Sequence, residues 1–199
     1  MCDCGNKPRS TLELLFNIIM TNQPTHSDWT HVLHAADALL QQCEAFVHEL
    51  PDVVYTSEST VLPGGTVGKH MRHVVDHYHA IFAGVGTTQA VDYDNRLRDV
   101  PMENDRAHAL KTLSKLRSTI VEMKHLGDAS PIRVRVMVAG DGSCATLSTT
   151  IGRELAFATH HGVHHQAMMR AIAGEFGVDV SPTFGKAPST INHELSTRR

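Results

Sequence analysis

The chain reads as a mainly α-helical domain: four long helices, with one small β-hairpin delivered just before the last. Three observations predict this. Apolar residues recur at spacings of three and four in four separate stretches, proline and glycine punctuate the gaps between them, and a single stretch alternates apolar with polar residues instead.

Taken in order, a short helix is expected over 10–21, ended by Asn22 and Pro24. A longer one follows over 27–50, with Val32, Leu33, Ala36, Leu39, Leu40, Cys43, Phe46 and Val47 on one face and Pro51 as its stop. After Pro63-Gly64-Gly65, Thr66 is a good N-cap for a helix reaching about residue 84, with a stripe of Val67, Met71, Val74, Tyr78, Ile81 and Val85. The stretch 86–101 reads as an irregular connection. A third long helix is expected over 103–126, burying Ala107, Leu110, Leu113, Leu116, Ile120 and Met123. The run 132–138 then alternates like a strand, 140–143 turns, and 144–149 returns as a weaker strand. The last helix is expected over 149–176, and the tail from Val178 as an extended segment. This divides the chain into an N-terminal segment (1–24), a helical-bundle domain (25–177) and a C-terminal tail (178–199).

Composition narrows the function classes. At 199 residues and a net charge of -3, with 41% hydrophobic residues, the chain can bury a substantial core. It has no basic stripe to suggest nucleic acid as a partner, and no apolar run of the ~18 residues a membrane span needs. The four cysteines are scattered rather than paired into a framework, so a reducing, cytoplasmic setting is expected. The anomaly is the 15 histidines. Two clusters hold most of them: His70, His73, His77 and His79 on one helix, and His160, His161, His164 and His165 on the last.

Residues four apart on a helix share a face, so His161 and His165 can aim two imidazoles at a common centre, as can His160 and His164. The stripe of the last helix (Ile151, Leu155, Ala158, Gly162, Met169, Ile172, Phe176) decides between the pairs. His165 lies roughly 30° and His161 roughly 70° from its centre at 100° per residue, whereas His164 and His160 lie on the flank or opposite side. Gly162, between them, makes sense if another backbone or a ligand approaches closely. Two imidazoles need at least a third ligand to hold a transition metal. On the earlier helix the angular count favours His70 or His77 over His73, and leaves the choice open. A trio of imidazoles suits Zn, Ni, Fe and Cu alike, with Zn the first expectation.

The motifs His161-Gly-Val-His-His165 and Gly68-Lys-His-Met-Arg-His-Val-Val-Asp-His77 resemble those of the DinB-like superfamily of metal-binding four-helix-bundle proteins, over about residues 27–177. Tyr93-Asp94-Asn95-Arg96, Ser148-Thr149 and Arg153-Glu154-Leu155 resemble segments of its smaller members. The resemblance implies a divalent metal held by His73, His161 and His165, with His70 and His77 as the alternative ligands. It implies an enzyme transferring a low-molecular-weight thiol to a small electrophile, with Asp94 and Arg96 as candidate substrate anchors. A non-catalytic metal-binding or stress-response protein and a metal-assisted hydrolase are the alternatives. Homodimerisation stays open.

Overall fold

The computed structural model describes residues 26–95 and 100–198. The short helix expected over 10–21, the segment 1–24, Cys2, Cys4 and the candidate anchor Arg96 lie outside the described residues. The fold is mainly helical, with one small three-stranded sheet.

The long helices are α1 (His26–Glu49), α3 (Val67–Gly84), α4 (Arg106–Glu122) and α5 (Ile151–Glu175), with a short α2 (Asp52–Thr56) after the first. Caps written in the sequence set their starts. The Thr66 hydroxyl accepts from Lys69 N at the head of α3, and Thr150 does the same for Arg153 N at the head of α5. Asp105 accepts from His108 N, so α4 begins three residues later than expected. Ahead of it, Pro101–Glu103 forms a 3-10 turn whose Glu103 is buried and ion-paired with Arg72 of α3. The buried face of α4 is Ala109, Leu113, Leu116 and Ile120; Ala107 is exposed, a correction to the expected stripe.

Around the core, α1 packs on α4 and α5, and α3 packs on α5 and α4. Every apolar residue expected inside α1 is buried except Val32, which is half-buried. Gly162 of α5 faces Leu39 of α1 so closely that a Cβ there would lie 2.7 Å from Leu39 Cδ2. The close approach the sequence suggested is therefore made by a side chain. Phe176, assigned to the α5 stripe, is 42% exposed at the helix end.

The hairpin forms as β2 (Pro131–Met137) and β3 (Cys144–Thr150), antiparallel, with Val134 opposite Leu147. A third strand was not foreseen: β1 (Val91–Asp92) lies parallel to β2 inside the stretch read as irregular, pairing Val91 with Val134. Two residues carry too little periodicity to announce a strand.

The tail also departs from expectation. Residues 178–187 fold back over α1 and α5, and then α6 (Pro188–Thr197) follows. Pro188, within the tail expected to be extended, instead opens that helix, where its missing N–H costs nothing. The Phe184 ring stacks on Phe46 with centroids 4.5 Å apart. Gly185, at φ +74°, comes so near α5 that a Cβ would stand 2.4 Å from Ala167 N. The buried amide of Gln166 donates to Leu39 O and accepts from Gly185 N, both at 3.3 Å. Among the described residues no helix is long and apolar enough to cross a membrane.

Candidate metal centre

The two histidine-rich segments meet at the seam between α3 and α5, at the rim of the helical core. His73, His161 and His165 each bring a ring nitrogen to within 4.8 Å of the other two. His73 Nε2 lies 2.9 Å from His161 Nε2, and His165 Nε2 lies 3.1 Å from the same atom. His165 is buried, while His73 and His161 are half-buried. His160 and His164 are exposed, the His164 ring 5.5 Å from that of His165.

His73 takes part because α3 meets α5 along a line offset from the α3 core stripe. A site at the rim draws on flank positions, which an angular count centred on the stripe ranks low. His70 and His77 do not belong to the converging trio. His70 Nδ1 lies 3.0 Å from His165 Nδ1. If His165 turns the lone pair of Nε2 toward the common centre, its proton sits on Nδ1 and can donate to His70, fixing both tautomer and ring orientation. His77, buried, donates Nδ1–H to the carbonyl of His73 at 2.9 Å, and its ring stacks on Tyr93 at 4.7 Å.

Electrostatics follow from crowding imidazoles in a half-dry seam. Burial first, then the neighbouring His73, His161, His70 and His164, pushes the His165 pKa down to about 2. Burial, then His164, also lowers that of His70. These rings are held neutral, the form in which imidazole binds metal.

The donor set fits a transition-metal ion. An imidazole nitrogen offers either one N–H or one lone pair, both in the ring plane. His161 Nε2 faces two ring nitrogens at once, and a shared cation would accept one lone pair from each of the three rings. In a tetrahedral site with metal–nitrogen distances of about 2.0–2.1 Å, ligand nitrogens stand about 3.3 Å apart, slightly wider than the two closest pairs here.

A second group of buried polar side chains adjoins the trio. Glu154, on the first turn of α5, is 1% exposed. Its carboxylate accepts from Tyr93 Oη (2.6 Å), Thr149 Oγ1 (2.7 Å) and Arg153 Nη1 (3.0 Å). Burial and the hydrogen bond to Glu154 raise the Tyr93 pKa far above its ordinary value. Phe157 lies parallel to His161, centroids 5.7 Å apart. Sequence reasoning gave these residues no role, although a Glu among apolar neighbours early in a helix was a visible signal.

Asp94 is exposed, its carboxylate accepting from Met137 N at 2.7 Å, so it ties the loop after β1 to the end of β2. Cys43 is buried and its thiol pKa is pushed up to about 12 by burial, which suits a packing role.

Comparisons with known proteins bear on the family. No protein-family model matches the chain, and no solved structure matches it. The chain is similar to FK506-binding protein 5 of Rhizopus delemar (strain RA 99-880), 36% identical over 104 residues. The match takes in 52% of this chain and 27% of that protein, so the chain spans about a quarter of the relative's length. This finding overturns the resemblance to the DinB-like superfamily, and with it the thiol-transferring enzyme and the hydrolase and stress-response alternatives it carried. The motifs behind that resemblance were an i,i+4 histidine pair and a histidine-rich helix. Those patterns follow from the demands of imidazole ligation on any helix pair, so they identify chemistry better than ancestry.

Proposed function

We propose that α1, α3, α4 and α5 form a four-helix bundle that holds one divalent transition metal between α3 and α5. His73, His161 and His165 are the ligands, and zinc is the first candidate, with nickel or iron next. The observation that carries this reading is the position of His161 Nε2, facing two other ring nitrogens at 2.9 and 3.1 Å. With three protein ligands, a bound metal would keep a coordination position for an exogenous molecule and would supply Lewis-acid chemistry there. The protein's part is to hold three neutral rings in place, through the helix spacing of His161 and His165 and the contact of His165 with His70.

The test is metal analysis of the purified chain, followed by competition with a chromophoric chelator. One equivalent of metal, lost in a His73→Ala/His161→Ala double variant that remains folded, is the expected result. Wild-type chain that takes up no zinc, nickel or iron at micromolar concentration would overturn it.

A second reading rests on the relative's name: this chain, or the part it shares with that protein, binds FK506. Calorimetric titration of FK506 into the chain tests it directly. Saturable binding that persists in the double variant would place that function away from the imidazoles, and no heat at any accessible concentration would dismiss it.

A further inference from the structure

Beside the histidine seam lies a cleft of about 330 Å³, at the small end of the range that ligand sites occupy. Its walls come from three elements. Val134 and Val136 of β2 and Leu147 of β3 make an apolar floor, Tyr93 closes one side, and Phe157 of α5 closes another. Arg153 stands at this wall with its guanidinium carbon 5.1 Å from the Phe157 ring centroid. Its side chain is 63% exposed, and one of its five N–H groups bonds to Glu154.

The geometry points to a binding site for a medium-chain carboxylate, with its tail on Val136 and Leu147 and its head group on Arg153. Three features select this chemistry. Leu147 is 53% exposed, an apolar surface on the rim of a concave space that a hydrocarbon chain would cover. The guanidinium fork matches a carboxylate, and its position over Phe157 holds it in place. Glu154, the carboxylate that would repel an anion, is 1% exposed behind its donors Tyr93 and Thr149, and it engages one N–H of Arg153 while the rest of that guanidinium stays available to a ligand. Phe157 separates the cleft from His161, so this site does not depend on the metal reading.

Titration of octanoate, with 1-octanol as the uncharged control, tests the assignment by calorimetry or by chemical-shift perturbation. Octanoate should bind saturably and at least about tenfold more tightly than octanol, the worth of one charge-assisted hydrogen bond. Arg153→Met should erase that preference while octanol binding stays unchanged. Leu147→Asp, a surface change outside the core, should weaken both. His161→Ala should leave octanoate binding intact; if it abolishes binding, the acid sits on the histidine seam and the assignment falls. Equal affinity for acid and alcohol, or the absence of saturable octanoate binding, also overturns it.

Discussion

Helix α5 carries two buried polar groups two turns apart, and they are satisfied in opposite ways. At its first turn, Glu154 accepts from three donors on three different residues, so donors and acceptors balance within the protein. Further along, His161 and His165 meet His73 and His70 ring nitrogen to ring nitrogen, where each atom has a single proton or lone pair to offer. The first group is closed and contributes to holding β1, β3 and α5 together. The second gathers several ring nitrogens about one point, an arrangement that suits a single cation accepting a lone pair from each. A buried network of matched donors and acceptors is a part of the scaffold, and one of converging ring nitrogens is suited to a ligand.

Four measurements can break or sharpen this contrast, beginning with the largest effect. His161→Ala and His165→Ala should each weaken metal binding by about three orders of magnitude, because structural zinc sites share about 10–16 kcal/mol among a few ligands. Chelator competition reads that loss, and thermal melts of the metal-free proteins should change little by comparison. Glu154→Leu should show the reverse pattern. Orphaning the Tyr93 and Thr149 hydroxyls should cost about 2–4 kcal/mol of stability in denaturant titration, with metal stoichiometry retained. His70→Ala comes next: metal affinity should fall about ten- to a hundredfold, as for other residues that orient a ligand, while one equivalent still binds at saturation. If His70→Ala instead abolishes binding, His70 is a ligand and the trio is wrongly drawn.

The most gradual effect is one of pH. His165 keeps a depressed pKa of about 2 in the fold against 6.5 in a free chain. The unfolded state therefore binds the proton first as pH falls, and native stability declines. In metal-free protein this contribution is fully present above about pH 6.5 and lost progressively below it, a trend that denaturant midpoints would follow. His165→Gln should flatten that slope. His164→Ala, which removes only the last of the causes that depress His165, should change that slope far less.

Much of this arrangement was legible in the residues. The burial of His165 and exposure of His160 and His164 follow from 100° steps around α5. The starts of α3 and α5 follow from Thr66 and Thr150, which cap as short hydroxyl side chains do. What resisted reading depended on contacts between distant segments. Whether His70, His73 or His77 faces α5 is fixed by how the two helices cross, and periodicity along one helix does not encode that. Strand β1 exists only because β2 lies alongside it. Pro188 has the same local chemistry whether it ends one segment or opens another, and here it opens α6. Family assignment failed for a related reason, since histidines at ligand spacing recur wherever helices grip a cation.

Consecutive residues of α5 divide their labour: the ring of His165 turns to the seam, and the amide of Gln166 clasps α1 and Gly185. The carboxyl-terminal strap is thus mechanically one peptide unit away from a candidate ligand. Removing that clasp, as Gln166→Leu would, loosens the strap and the α1–α5 contact beside the centre without touching a ring nitrogen.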